Sequence, residues 1–173
     1  TLGAACLDLE LGTRRVTIVE ARTFNGTQLA RAYRHVQEVH GDRAARLMAH
    51  EENLYTYFCY TQPHNVACEA PFLSRFPQAF ATLTLCVENI RRSLYRYHPF
   101  LPLVTIDPPT VKLSVGVRGR GTTKDDVKAG LKRVIAVGQI LNSYDIDIDA
   151  LDEHSIDAIA VAYTQARYVM DNF

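Results

Sequence analysis

The order of predicted elements along the chain is hairpin, helix, strand, helix, strand, helix, helix. This alternation predicts an α/β domain built around a mixed sheet. The length of 173 residues suits one domain with one buried core. Apolar residues make up 47% and charged residues 22%, a globular balance that argues against disorder or a coiled coil. With no repeat, low-complexity tract or linker, residues 1–173 are expected to form a single domain.

The predicted strands are short apolar runs bounded by turn residues. Gly12–Arg15 forms a tight turn that joins the first two of them into a hairpin. The four predicted strands are Ala4–Leu11, Val16–Ala21, Val66–Cys68 and Leu103–Ile106.

Helices are predicted where apolar residues recur at helical spacing. The region from Gln28 to about Tyr60 has this spacing with a break near Gly41, and a long amphipathic helix runs from about Pro77 to Tyr97. Thr122 or Thr123 is a plausible N-cap for a helix reaching Leu141. The last helix starts near 149–152 and continues to Met170.

Charge is unevenly distributed although the 19 basic and 19 acidic residues balance. The segment 110–134 is rich in Lys and Arg, whereas 144–157 is acidic. A phosphate-binding surface beside a metal-binding cluster needs this arrangement, although two solvated surfaces also account for it. No apolar run is long enough to cross a membrane, and the four cysteines, which form no C-x-x-C pair, are expected to be buried free thiols in a reducing cytoplasm.

Carboxylates stand at three places where a core would not favour them. Asp8 and Glu10 alternate with leucines on the first strand and therefore share one face of it. Glu69 ends a short buried strand, where α/β sheets commonly bind ligands. Each acid alone is explained by a polar strand face or by a helix start, because surface acids are common.

The third place is the start of the last helix. Asp157 shares a helix face with Glu153 and His154 and begins an otherwise apolar stripe. Such a crowd of carboxylates repels itself unless a hard cation neutralises it, so the three places together favour Mg²⁺ or Mn²⁺. Two such ions would activate a water and stabilise the leaving oxygen in phosphodiester cleavage.

Four motifs resemble those of the RuvC group of Holliday-junction resolvases over nearly the full chain. They are L-E-L-G-T-R at 9–14, C-E-A-P-F at 68–72, V-K-L-S-V-G-V-R-G-R-G-T-T-K-D-D-V at 111–127 and I-D-A-I-A-V-A-Y-T at 156–164. The last two are the most specific in order, spacing and chemistry. The first is weak, since sugar kinases and Hsp70-type ATPases begin similarly.

The resemblance implies an RNase H-like fold with a central mixed five-stranded sheet flanked by helices. It also implies a homodimer that binds a four-way DNA junction and cuts two strands symmetrically, with two Mg²⁺ ions in each active site and Mn²⁺ able to substitute. A viral or phage resolvase fits as well as a cellular one. The expected location is the cytoplasm of a bacterium or of a virus-infected cell, with an organelle or the nucleus left open.

The family's functional residues carry over by position. Glu69 and Asp157 would be metal ligands, while Lys112 and Lys124 would contact phosphate or the transition state. Phe72 would lie near the crossover, where an aromatic ring can stack on an unpaired base, although packing in a core is an equal alternative. The DNA-binding set is Phe72, Arg75, Lys112, Arg118, Arg120 and Lys124.

Two positions depart from the family pattern. The first acid of the family falls on Glu10, with Asp8 one pleat earlier, and either could be the ligand. His154 replaces an Asp, but a His-x-x-Asp pair does occur in the RuvC domains of RNA-guided CRISPR nucleases. His154 is therefore a candidate ligand or general base, and Glu153 is the fallback ligand.

Three other readings of the sequence remain. The chain could be another RNase H-like nuclease acting on RNA or on branched DNA, or a junction-binding structural protein whose metal site has decayed. An ATP-binding member of the actin-like fold would need a second phosphate loop, which the sequence lacks. Metal-dependent cleavage separates the nucleases from the structural protein, and relative rates on junction, flap and hybrid substrates separate the nucleases from each other.

Overall fold

Four strands pair two by two in the computed structural model, which describes residues 1–72, 77–119 and 121–173. A hairpin joins β1 (Leu2–Glu10) to β2 (Arg15–Phe24), and β3 (Val66–Glu69) pairs with β4 (Leu103–Ile106). The four predicted strands are therefore present. The expected five-stranded sheet is not found within the described ranges, where the two pairs form separate sheets.

Leu141 is the only other residue with strand-like pairing in those ranges, through an isolated parallel bridge to Thr17. Its backbone nitrogen donates to the Val16 carbonyl at 2.8 Å, and its carbonyl accepts from the Ile18 nitrogen at 2.9 Å. The pairing stops there because the next residue, Asn142, turns the chain by bonding the backbone of Ile146 with its side-chain amide. A single bridge therefore stands where a longer strand would have extended the sheet.

Helices account for most of the remaining described residues. A short 3-10 helix at Ala30–Tyr33 follows the first of them. The α-helices are α1 (Gly26–Leu29), α2 (Arg34–His40), α3 (Asp42–Thr61), α4 (Pro77–Tyr97), α5 (Pro108–Ser114), α6 (Lys124–Ala136) and α7 (Glu153–Asn172).

One helix was not expected from the sequence, and another ends earlier than expected. Helix α5 was not among the predicted helices, and it begins at Pro108 and Pro109. Prolines are well tolerated in the first turn of a helix, and the Asp107 side chain caps α5 by accepting from the Thr110 nitrogen at 3.1 Å. Helix α6 ends at Ala136 and not at Leu141, since Gly138 has a φ of 74°, outside helical geometry.

The chain divides into two compact units. One contains residues 1–2, 24–66 and 70–104, and the other contains residues 3–23, 67–69 and 105–173. The first is helical, and α3 packs against α4 within it. Asn89 and Ser93 on α4 are buried and donate to the carbonyls of Leu47 and Glu51 on α3, so the polar groups in this packing are hydrogen-bonded.

The second unit has a continuous apolar core between the hairpin and helices α5, α6 and α7. Ile18, Leu131 and Ile159 lie at its centre and are fully buried. On β1, Ala5, Leu7 and Leu9 pack against this core. Because side chains alternate along a strand, the residues between them point to the opposite face of the hairpin.

The four cysteines are free thiols, as expected, but Cys59 is exposed on α3 and not buried. Cys6, Cys68 and Cys86 are partly buried. Burial raises the pKa of the Cys6 and Cys86 thiols, which disfavours the reactive thiolate. None of the helices in the described ranges is long and apolar enough to cross a membrane.

Candidate active site

A recess of about 210 Å³ lies in the second unit, where the end of β3 meets helices α5, α6 and α7. It contains four of the residues predicted from the sequence, two of them acidic and two basic. Its lining residues are Glu69, Pro108, Val111, Lys112, Thr122, Thr123, Lys124, Val127 and Asp157. The recess therefore joins segments that are distant in sequence into one charged site.

Glu69 and Asp157 are the two carboxylates of the recess. Glu69 is the last residue of β3, and Asp157 lies one turn into α7. Burial raises the pKa of both carboxyl groups, and the negative charge of Asp157 raises that of Glu69 further. Glu69 is nonetheless an exposed residue, so a ligand can reach the carboxylate pair from the solvent. Burial still removes part of the hydration of both carboxylates.

Lys112 approaches this pair from α5. Its Nζ donates to the Thr122 hydroxyl at 2.9 Å, which fixes the ammonium group on one side of the recess. The positive charge of Lys112 lowers the pKa of both Glu69 and Asp157 and so opposes the effect of burial. Helix α5 is tied to α7 by a 2.7 Å hydrogen bond between the hydroxyls of Ser114 and Thr164.

Lys124 is the first residue of α6 and its ammonium group also acts on both carboxylates. A capping box between Thr123 and Asp126 starts the helix, so Thr123 is the N-cap of the two residues that the sequence left open. Lys124 Nζ pairs with Glu153 Oε1 at 2.6 Å, and this interaction lowers the pKa of Glu153. Glu153, the predicted fallback ligand, is thus an ion-pair partner of a site lysine in this structure.

His154 lies in the first turn of α7 with a partly exposed side chain. Its Nε2 is 3.6 Å from Glu153 Oε1, and its charge when protonated favours the ionised form of Asp157. The carbonyl of His154 is so close to Gly3 on β1 that a Cβ there would overlap it. The start of β1 therefore packs directly on the first turn of α7.

A second set of contacts holds the same turn against the hairpin. The Thr23 hydroxyl on β2 bonds Asp152 Oδ1 at 2.7 Å and the Ser155 hydroxyl at 2.9 Å. Asp152 is also the N-cap of α7 and accepts from the Ser155 nitrogen at 2.9 Å. These contacts fix the orientation of the helix that carries Asp157.

Asp8 and Glu10 are not brought to the recess. They alternate with the core-facing residues of β1 and so leave the hairpin on the other face. Glu10 Oε2 accepts from the Thr13 hydroxyl at 2.6 Å, and the charge of Asp8 acts on the Cys6 thiol. Neither acid contributes to the pKa shifts of the two recess carboxylates, so the structure leaves the choice between them as first-strand ligand untested.

The predicted DNA-binding residues have different placements. Lys112 and Lys124 line the recess, and Arg118 is exposed on the loop between α5 and α6. Phe72 is 60% exposed, so it does not pack in a core, which was one of its two expected roles. Arg75 and Arg120 lie outside the described residues.

Part of the basic segment is already neutralised by the acidic one. Lys128 Nζ donates to the Asp149 carbonyl at 2.9 Å, and Lys132 pairs with the Asp149 carboxylate. Lys124 pairs with Glu153 in the same way. The two segments therefore do lie side by side, and their ion pairs reduce the positive charge that remains for phosphate.

The carboxylate pair fits one hard cation, because it presents anionic oxygens that repel each other. It does not make a complete two-ion site. Among the described residues, no three His, Cys, Asp or Glu side chains are grouped so that they could hold a metal. The predicted donors His154 and Glu153 lie beside Asp157, while Asp8 and Glu10 lie elsewhere.

Several contributors to the site were missed from the sequence. Thr122 was considered only as a helix cap, but it holds Lys112 in place. Gly3 and Thr23 showed no signal in the sequence, because their roles depend on contacts with α7 that lie more than a hundred residues away. Asp107, Pro108 and Pro109, which form the cap and the first turn of α5, were the available indication of the helix that carries Lys112.

Fold and recess together define an α/β protein with a carboxylate pair beside two lysines. No protein-family model matches the sequence, and no curated protein matches it. The chain is similar to solved structures. Thermus thermophilus RuvC superposes with a TM-score of 0.65 and 17% identity, over 98% of this chain and 89% of RuvC. RuvC from T. thermophilus in complex with Holliday junction substrate gives a TM-score of 0.60 and 15% identity, over 97% of this chain and 95% of that one.

Identities this low show the fold, and they confirm the RNase H-like fold predicted from the four motifs. The likeness also extends over nearly the whole chain, as the motifs indicated. What the chain does with this fold must be argued from its own recess.

Proposed function

We propose that the chain is a structure-specific endodeoxyribonuclease that resolves four-way DNA junctions by metal-dependent phosphodiester hydrolysis. The observation that carries the proposal is the recess, in which Glu69 and Asp157 lie with Lys112 and Lys124 on a RuvC-like fold. Support for the substrate comes from the similar RuvC structure, which was solved with Holliday junction substrate.

Each side chain of the recess has a role that its chemistry allows. Glu69 and Asp157 would hold Mg²⁺, or Mn²⁺ in its place, and the bound cation would activate water and polarise the scissile phosphate. Lys112 and Lys124 would neutralise the phosphate oxygens. His154 would serve as a further donor or as a proton acceptor. Two ions per site belong to the proposal and require at least one carboxylate more than the recess holds.

The DNA would extend from the recess over the loop that carries Arg118, since an exposed guanidinium can contact a phosphate. The exposed ring of Phe72 would be free to stack on an unpaired base. Symmetric cutting of two strands needs two active sites, so the acting form is proposed to be a homodimer. A cytoplasmic location, in a bacterium or a virus-infected cell, belongs to the same proposal.

The test compares an immobile four-way junction with a linear duplex of matched sequence, in Mg²⁺ and in EDTA. We expect preferential binding of the junction and paired nicks that need the metal. Glu69→Gln and Asp157→Asn should keep the binding and lose the nicks. Asp125→Asn is the matched control, because Asp125 is an exposed acid in the first turn of α6 outside the recess.

Equal binding of junction and duplex, or cutting that is indifferent to Glu69 and Asp157, would contradict the proposal. A second candidate function is junction binding without catalysis. The position of Asp8 and Glu10 away from the recess favours it, since it leaves the metal site incomplete. Tight junction binding with no metal-dependent cutting is its expected result, and faster cutting of flaps or RNA–DNA hybrids would indicate a different nuclease.

A further inference from the structure

The two lysines of the recess are held in different ways. Lys124 forms an ion pair with Glu153, and the two side chains are 2.6 Å apart. Lys112 forms no ion pair within the part of the chain that the structure describes. Its Nζ donates to the Thr122 hydroxyl at 2.9 Å and makes a longer contact, of 3.5 Å, with the Thr122 carbonyl oxygen. Both acceptors are uncharged, so Thr122 holds the ammonium group without neutralising it.

A turn and a helix cap place Thr122 at the recess. Gly121, just before it, has a φ of 82°, in the left-handed region that glycine adopts without strain. Thr123, just after it, is the N-cap of α6. Earlier in the same loop, Val115 and Val117 are buried in the core of the second unit. The position of Thr122 is therefore set by the chain on either side of it.

The backbone of Lys112 is fixed as well. It lies on α5 next to the buried Val111, and α5 is tied to α7 by the hydrogen bond between the hydroxyls of Ser114 and Thr164. A lysine side chain has a flexible four-carbon stem, and ordering it costs conformational entropy. With its backbone held by α5 and its Nζ held by Thr122, the side chain of Lys112 is ordered before any ligand binds.

An ammonium group held in this way favours a phosphate oxygen. It keeps its full charge and at least one N–H for an anionic acceptor, and such charge-assisted hydrogen bonds are the strong ones. A donor that is already in place stabilises negative charge as it develops on a reacting phosphate, without reorganisation during the reaction. Binding of DNA sums contacts to many phosphates. The placement of one lysine therefore affects the reaction rate more than the affinity.

We propose that Thr122 is the positioning residue of the recess. Its hydroxyl holds the Lys112 ammonium group where a phosphate oxygen of the bound DNA meets it, and this sets the rate of cutting more than the strength of binding. The contact between Thr122 and Lys112 stands on the structure alone, whereas its effect on the rate rests on the proposed function.

The experiment compares Thr122→Val, which removes the hydroxyl and keeps the branched shape, with Thr122→Ser, which keeps the hydroxyl. Thr56→Val is the matched control, because the Thr56 hydroxyl on α3 donates to the Glu52 carbonyl of its own helix, outside the recess. Nitrogen NMR relaxation of the Lys112 ammonium group, without DNA or metal, reports its order. The Kd for a four-way junction and the single-turnover rate of cutting at saturating protein report binding and reaction separately.

We expect Thr122→Val to make the Lys112 ammonium group mobile and to lower the rate of cutting by about tenfold, because a misplaced group contributes less to the reaction. The Kd should change by less than about twofold, since the charge is still present. Thr122→Ser should restore most of the order and of the rate, and Thr56→Val should match the wild type. In a Lys112→Gln background, Thr122→Val should lower the rate no further, because both residues act through one contact.

Equal order of the ammonium group in the wild type and in Thr122→Val would overturn the contact. A rate that does not fall in Thr122→Val, or that falls again when this substitution is added to Lys112→Gln, would overturn the positioning role. A wild type that does not cut the junction would contradict the proposed function and, with it, the effect on the rate. The order of the ammonium group would then still support or overturn the contact, because that measurement uses neither DNA nor metal.

Discussion

His50 makes the stability of the helical unit depend on pH. Its side chain is partly buried on α3 beside Gly26, and its Nδ1 has no hydrogen-bond partner among the residues that the structure describes. Burial, together with the positive charges of the Thr1 amino group and Arg46, lowers the pKa of His50 from 6.5 to about 4. The folded state therefore favours the neutral imidazole.

The sign of the effect follows from which state binds the proton. Below about pH 6.5 His50 binds a proton in the unfolded chain but not in the folded chain. Unfolding therefore becomes more favourable as the pH falls. Between pH 7 and pH 5 the full shift would lower the free energy of unfolding by about 1.8 kcal/mol. Partial exposure of the ring reduces this to about 1 kcal/mol.

The assay is urea unfolding followed by circular dichroism between pH 7 and pH 5, on the wild type and on His50→Gln. Gln stays neutral throughout, so the variant should lose about 1 kcal/mol less than the wild type over this range. His40→Gln, at an exposed position on α2, is the control and should follow the wild type. Equal pH slopes for wild type and His50→Gln would refute the reasoning, as would an NMR titration of His50 with a midpoint near 6.5.

Three further predictions concern the second unit. Gly3→Ala should lower the free energy of unfolding by about 1–3 kcal/mol, because the added Cβ would overlap the His154 carbonyl. Gly12 has open space around it, so in the same urea assay Gly12→Ala should change the free energy of unfolding by less than about 0.5 kcal/mol. Thr123→Ala removes the cap of α6 and should cost about 1 kcal/mol, seen as a fall in Tm of about 2–4 °C; an unchanged Tm would mean that the capping box is not formed. Lys124→Gln should weaken junction binding and reduce the slope of log Kd against log salt by about one, measured by fluorescence anisotropy; an unchanged slope would exclude a phosphate contact.

The local structure was largely predictable from the sequence. Strands β1 to β4 were predicted from short apolar runs between turn residues, and Thr123 was one of the two residues predicted as the N-cap of α6. These features are determined by residues that are close to each other in the sequence. The end of α6 was misplaced because apolar spacing continues past Ala136, while the backbone leaves helical geometry at Gly138.

The site was predictable only in part, because it depends on which side of each strand and helix faces the recess. The structure brings Glu69, Asp157, Lys112 and Lys124 together in one recess, while their roles as metal ligands and phosphate contacts stay predictions. Strand alternation placed Asp8 and Glu10 on one face of β1, and the family resemblance grouped them with the other acids. Alternation shows that two residues share a face but not which face is buried. Ala5, Leu7 and Leu9 take the core side in the structure, and this leaves the acids on the other.

The central claim, that Glu69 and Asp157 are the metal-binding pair, is tested most directly by paramagnetic broadening of backbone amide NMR signals on addition of Mn²⁺. The method detects weak binding and locates it in the sequence. We predict selective broadening around Glu69, Lys112 and Asp157, which disappears in Glu69→Gln and persists in Asp125→Asn. Broadening centred on Asp8 and Glu10, or the same pattern in Glu69→Gln as in the wild type, would contradict the claim.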